Sequence, residues 1–290
     1  MIVTLWGTRG SLACSGPDLV KYGGNTSCVS VLGSDDTLLI LDAGTGIRRL
    51  GMSLDKKIRK IHILLTHLHM DHIQGLGFFV PIFNPDMEIH IYGPACNKQH
   101  LITSLTKYLS PPLFPVLLRD VPCKLFLHEL TGGQFNIGEF SIYCNFVCHP
   151  GLTLGYRLMT KNGSMAYLPD HEPALGTKIF PGPSDWTSGY DIANNVDLLL
   201  HDSQYTTHER DSRIGWGHSS IEQALEFGQL VKVKNFVTFH HDPSHSDDTL
   251  NQILSAGIEA VQPAFQASPG QEGAVFNLAN QIYMPQYLGY

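Results

Sequence analysis

Ile61-His62-Ile63-Leu64-Leu65-Thr66-His67-Leu68-His69-Met70-Asp71-His72 is the stretch on which the fold turns. Ile61 to Leu65 is an apolar run of strand length, so Thr66 onward falls at a strand's end, and a helix is expected from near Ile73. Ligands in layered α/β folds gather at strand ends. His67, His69, Asp71 and His72 therefore crowd into six residues at a favoured place. Alternating spacing followed by a turn lets such a set feed two neighbouring metals. Imidazole suits zinc and other first-row ions, and a carboxylate widens the choice to manganese or iron.

Short β-like runs recur on either side: Met1–Trp6, Cys28–Leu32, Leu38–Leu41, Glu88–Tyr92, Phe140–Phe146, Leu154–Met159, Met165–Leu168, Val196–Leu200 and Phe236–Phe239. Several are nearly all apolar, as strands buried on both faces would be. Helical spacing marks Ser219–Val231, where Ile221, Ala224, Leu225 and Gly228 share a face, and Asp247–Ala260. Ser219 and Glu222 have the spacing of a capping box, and Asp247 or Asp248 is placed to cap the later helix. An α/β layered domain follows. No linker divides the 290 residues, so one domain, 1–290, is expected, with Ala95–Lys124 as an insertion between strands, either a lid or plain structure.

The formal net charge is −7, and the 19 Lys and Arg form no block, which argues against a general nucleic-acid binder. No apolar run approaches the roughly 18 residues needed to span a bilayer, and no basic flank leads an apolar N-terminal segment. Cys14, Cys28, Cys96, Cys123, Cys144 and Cys148 are scattered, with no Cys-x-x-Cys pair. A reduced, cytoplasmic setting is expected, without membrane insertion.

These motifs resemble the metallo-β-lactamase superfamily, whose signature is His-x-His-x-Asp-His after a buried strand. Leu39-Ile40-Leu41-Asp42-Ala43-Gly44-Thr45-Gly46 is similar to its early aspartate loop, and His149, Asp170 and His240 match its later motifs in order. The resemblance implies an αβ/βα sandwich of two mixed β-sheets flanked by helices. It also implies two divalent metal ions, zinc first with Mn2+ or Fe2+ as alternatives. His67, His69 and His149 would hold one ion, Asp71, His72 and His240 the other, with Asp170 and a shared hydroxide between. Asp42 would orient a ligand histidine, and His240 rather than His241 fits the last motif. Where many members have a small residue after the bridging aspartate, this chain has His171-Glu172, either of which would be able to enter the pocket.

Two later segments, His201-Asp202-Ser203-Gln204-Tyr205 and Gly215-Trp216-Gly217-His218-Ser219-Ser220, resemble the phosphodiesterase branch, that of tRNase Z and the cyclic-phosphate phosphodiesterases. There an acidic residue orients a histidine, which implies that Asp202 orients His218 and that Asp71, Asp202 and His218 are catalytic. A phosphodiester's leaving alkoxide needs a proton or a positive charge, and an imidazolium held by a carboxylate supplies both. Gly7-Thr8-Arg9-Gly10-Ser11 is also similar to this branch, making Arg9 a candidate phosphate contact. His201 reads equally as strand-end packing. The tRNase Z members carry a basic, Gly-rich arm, whereas the insertion here contributes only Lys98, Lys107, Arg119 and Lys124. A small phosphodiester, cyclic or linear, is thus expected over extended nucleic acid. A tRNase Z-like endoribonuclease and a lactonase or thioesterase of the same fold are the alternatives. Tyr108 and Phe114 are candidates to stack on a base, and the apolar tail Gln281–Tyr290 would pack on its own domain or on the second subunit of a homodimer.

Overall fold

Runs of aliphatic and β-branched residues between turn formers build fifteen strands among the described residues. The computed structural model describes residues 1–96, 100–173, 184–280 and 282–287, with the backbone alone at 282–285 and 287. The strands are β1 (Ile2–Gly7), β2 (Cys28–Leu32), β3 (Leu38–Leu41), β4 (Lys60–Leu64), β5 (Glu88–Pro94), β6 (Lys124–Leu130), β7 (Gly133–Ile137), β8 (Phe140–Phe146), β9 (Leu154–Thr160), β10 (Gly163–Leu168), β11 (Leu198–Asp202), β12 (Asn235–Phe239), β13 (Gln266–Pro269), β14 (Ala274–Asn277) and β15 (Ile282–Tyr287). They form an eight-stranded sheet ordered β15-β14-β1-β2-β3-β4-β5-β6 and a seven-stranded sheet ordered β13-β12-β11-β10-β9-β8-β7. In each, four neighbours run parallel, β3 to β6 and β10 to β13, and the rest antiparallel.

Helices α1 (Ile47–Ser53), α2 (Met70–Ile73) and α3 (Leu101–Tyr108) cover the first sheet, and α4 (Tyr190–Ala193), α6 (Ile221–Leu230) and α7 (Asp247–Val261) the second, with α5 (Thr207–Asp211) in a connecting loop. Side chains alternate across each strand. Leu39 and Leu41 accordingly enter the layer between the sheets, where they join Leu158, Leu200 and Phe239, while Leu38 and Ile40 face the helices beside Ile47 and Leu105. Both faces of the central strands are buried, which is why their sequences show apolar runs instead of alternation. The architecture is the expected αβ/βα sandwich.

Three local expectations shift. Helix α2 starts at Met70, not near Ile73, so Asp71 and His72 are already helical. Ser220, not Ser219, caps α6 by accepting the Gln223 N–H, because the Ser219 hydroxyl donates to the His171 carbonyl. Ser246, not Asp247 or Asp248, caps α7, and the Asp247 carboxylate accepts the backbone N–H groups of Lys21 and Tyr22 instead. The stretch Ala95–Lys124 forms the crossover between parallel β5 and β6, and its Leu101, Leu105, Leu109 and Leu118 complete the outer core. Lys98 lies outside the described residues. No described helix is long and apolar enough to cross a membrane.

Leu200→Ala, which empties a fully buried position between the sheets, is expected to destabilise the protein by about 2–5 kcal/mol. A urea unfolding midpoint equal to that of the parent would contradict this packing.

Candidate metal centre

Seven groups singled out in the sequence converge where strands of both sheets end. His67, His69, Asp71 and His72 follow β4 into α2, His149 stands in the turn from β8 to β9, Asp170 follows β10, and His240 follows β12. Candidate ligand atoms of His67, His69, His149 and Asp170 all lie within 4.8 Å of one another, as do those of Asp71, His72 and His240. Asp170 joins the two sets. Its Oδ2 is 3.6 Å from His67 Nε2 and 3.7 Å from His149 Nε2, while its Oδ1 is 2.9 Å from His72 Nε2 and 3.3 Å from His240 Nε2. One carboxylate oxygen thus faces each set.

The imidazoles are aimed from behind. His72 Nδ1 donates to Asp42 Oδ2 at 2.8 Å, His149 Nδ1 to the Gly217 carbonyl at 2.9 Å, and His240 Nδ1 faces Gln204 Oε1 at 3.3 Å. His67 Nδ1 lies 3.0 Å from Thr66 Oγ1, whose own hydroxyl donates to Asp42. Each partner is an acceptor or has its proton committed elsewhere. The proton on each of these four rings is therefore assigned to Nδ1, which leaves Nε2 directed at the centre, whereas His69 turns Nδ1 toward His149 Nε2 at 3.3 Å. Carboxylate Asp71 is held by the Ser11 N–H at 2.8 Å and lies 3.0 Å from His240 Nε2.

Such a cluster fits a cation. His67 Nε2 and Asp170 Oδ1 are buried without a hydrogen-bond partner, although Asp170 Oδ2 stands 3.6 Å from the first and His72 Nε2 2.9 Å from the second. Burial and the neighbouring His72 keep the His67 imidazole well below its ordinary pKa, as a neutral ligand requires. Burial pushes the Asp170 carboxyl up, but His240, His72 and His67 outweigh it and hold the group ionised. Burial likewise lowers His72, yet Asp170, Asp71 and Asp42 raise it well above the usual range, so positive charge is demanded between them. Nitrogen and carboxylate donors in this number suit zinc, manganese or iron.

Beside the centre, His218 Nδ1 donates to Asp202 Oδ2 at 2.7 Å. Its ring lies 5.0 Å from that of His149 and 4.9 Å from that of His240. Asp202 ends β11 and is fixed by the peptide N–H groups of His171, Gln204 and Ser219. Burial lowers the His218 pKa, but the Asp202 carboxylate overrides it and pushes the group up to about 9.

Neither residue after Asp170 enters the pocket. His171 Nδ1 contacts His201 Nε2 at 2.9 Å, with Phe227 packed against both rings. Glu172 is fully buried, pairs with Arg210 at 2.7 Å and accepts the N–H groups of Gly215 and Gly217. Arg9 is not placed as a phosphate contact: it is fully buried, its Nε and Nη1 donate to the carbonyls of Gly23, Asp242 and His245, and its Nη2 lies 3.8 Å from Asp247 Oδ1. His241 points away, to the Gly270 carbonyl.

Thr66, Ser11, Gln204 and Gly217 were not singled out in the sequence, since a common polar side chain or a backbone atom carries no signature. Two glycines are required sterically by the fold. A Cβ on Gly10 would meet His240 Nδ1 at 2.2 Å, and one on Gly217 would meet His149 Nδ1 at 2.5 Å. Only glycine leaves room for these rings.

A family model described as the beta-lactamase superfamily domain matches residues 37–241. The chain belongs to the β-lactamase superfamily. Within that superfamily it is 25% identical over 244 residues to ribonuclease Z of Thermococcus gammatolerans, covering 70% of this chain and 74% of the relative. Human tRNase Z, short form, shares the fold with a TM-score of 0.68 at 19% identity over 96% of this chain and 99% of that one. A diphosphatase from the PhnP family does so with a TM-score of 0.66 at 17% identity, over 95% and 96%. These superfamily relatives are hydrolases by name.

Asp42→Asn removes an acceptor from His72 while preserving size, and is expected to weaken metal binding about 10–100-fold. Competition with a chromophoric chelator measures it, and an unchanged dissociation constant would rule out the orienting role.

Proposed function

We propose that the protein is a binuclear metal-dependent phosphodiesterase acting on a small phosphodiester, linear or cyclic. The observation that carries this reading is the Asp202–His218 pair, held at 2.7 Å beside the two ligand sets. Thioester hydrolysis at the same centre has no need of it, since a thiolate leaves without a proton, whereas the alkoxide leaving a phosphodiester does not.

In this reading His67, His69 and His149 hold one divalent ion, Asp71, His72 and His240 the second, and Asp170 both. Bound there, the ions would supply an activated water and positive charge against the phosphoryl oxygens. The remaining work falls to the chain. Three peptide N–H groups hold the Asp202 carboxylate in place, and Asp202 keeps the His218 proton on Nδ1 and the ring turned. A second proton, on Nε2, is then placed for transfer to the leaving alkoxide as its bond to phosphorus breaks.

The net charge of −7 supports a small substrate. The ribonuclease name of the relative from Thermococcus gammatolerans favours a second reading, endonucleolytic cleavage of RNA, and weakens the argument from charge alone. Turnover of cyclic nucleotides, linear dinucleotides and a tRNA precursor by the metal-loaded protein separates the two. A preference for the precursor would replace the first reading by the second.

His218→Ala is expected to retain its metal and to lose roughly 10²–10⁴ in kcat on an alkyl phosphodiester. Undiminished kcat with that poor leaving group would remove the general-acid role, and stripping the metals with a chelator should abolish turnover in either form.

A further inference from the structure

A cleft of about 390 Å³ opens beside the metal centre between α2 and α3, lined by Leu68, Met70, Ile73, Lys107, Tyr108 and Leu113. Leu68 and Met70 are the chain neighbours of His69, the exposed member of the first ligand set. The cleft therefore lies within a residue's length of that ligand set along the chain. A cleft of similar size at the opposite end of the strands, among Asp35, Asp55, Lys57 and Arg59, has no such neighbour.

The walls have a particular chemistry. Met70 is 50% and Leu113 72% exposed, so two large apolar side chains stand in water on the walls of this cleft. Apolar surface so placed marks ligand grooves more often than it occurs by chance, and methionine adapts to flat partners. Tyr108 is fixed as a wall, because its hydroxyl donates to the Gln74 carbonyl and its ring leans on the buried Phe114. Phe114 itself belongs to the core and is not placed to stack on a ligand, whereas Tyr108 is. Lys107 adds a cation at the rim, and among the described residues it has no acidic partner.

We propose that this cleft is the subsite for the nucleoside carried by the scissile phosphate, with the base against Met70, Leu113 and the Tyr108 ring. The proposal rests on the phosphodiesterase reading and narrows it to nucleotide-sized diesters. The volume lies at the lower end of small-molecule sites, which run roughly 300–1,000 Å³. A flat base satisfies walls that are apolar on two sides and aromatic on the third, and Lys107 meets the anionic oxygens beside it. A purely aliphatic acyl chain would leave that ammonium without a partner.

Leu113→Asp tests the subsite, since so exposed a side chain is not needed for folding. Two substrates release the same p-nitrophenolate: thymidine 5′-(p-nitrophenyl phosphate) and methyl p-nitrophenyl phosphate. With the zinc-loaded protein, the ratio of kcat/KM for the nucleoside diester to that for the methyl diester is expected to fall about tenfold in the variant. Equilibrium dialysis should show thymidine 5′-phosphate binding weakened by a similar factor, and inorganic phosphate binding weakened less. An unchanged ratio, or equal effects on both diesters and on both anions, overturns the subsite. If neither diester is hydrolysed by the parent protein, the phosphodiesterase reading fails separately, and the binding of thymidine 5′-phosphate against inorganic phosphate still decides what the cleft holds.

Discussion

One buried carboxylate facing two ways organises the molecule. Asp170 turns Oδ2 toward His67 and His149 and Oδ1 toward His72 and His240. Interposed donors with their lone pairs aimed at one another repel unless positive charge lies between them, and in a buried site that repulsion is poorly screened. The arrangement persists because four of the rings are held from behind by oxygens of separate segments: Asp42 after β3, Thr66 after β4, the Gly217 carbonyl before α6, and Gln204 after β11. Such a set can be assembled only where the ends of two parallel strand groups meet. The sandwich supplies that meeting, because its two sheets pack face to face through Leu41, Leu64, Leu200 and Phe239, each close to a strand end that carries the site.

Strain accompanies the assembly. Asp42 and His240 have φ of 59° and 58°, and Ser11, whose N–H holds Asp71, has 60°. Each such backbone costs of the order of 1–3 kcal/mol in a non-glycine residue and survives only where surroundings over-determine it. Here they do. The Asp42 N–H donates to the Leu64 carbonyl, and its carboxylate takes the Thr66 N–H, the His72 ring and the Tyr167 hydroxyl. His240 is pinned between Asp71, Gln204 and the bare face of Gly10.

Most of the fold could be read from the chain because its central strands are buried on both faces, and an apolar run such as Leu38–Leu41 then needs no periodicity to stand out. Edges were harder. Lys124–Leu130 alternates as an edge strand with one face exposed, and it begins where the supposed insertion ended; Gln266–Pro269 and Ala274–Asn277 are four residues each, too short for a pattern. The donors that meet at the centre were legible since histidine and aspartate at tight spacing have few other uses. What holds them was not. A threonine hydroxyl, a glutamine amide and a glycine carbonyl act across the fold from positions distant in sequence, and nothing local marks them. Arg9 shows the opposite error: a charge beside glycines suggested a phosphate contact, yet its role is to tie three loop carbonyls together inside the protein.

The loop from Gly215 to His218 ties the donor cluster to the Asp202–His218 pair. Glu172, two residues beyond Asp170, reaches the backbone N–H groups of Gly215 and Gly217 and is neutralised by Arg210. The same short segment offers the Gly217 carbonyl to His149 and carries His218 to Asp202. A displacement of that loop would therefore turn a candidate metal ligand and swing the candidate acid in a single motion. A buried ion pair is a poor source of stability, because desolvation consumes much of its attraction. Its value at this position is geometric: it fixes, with one side chain, the relation between the donors gathered around Asp170 and the His218 imidazole held by Asp202.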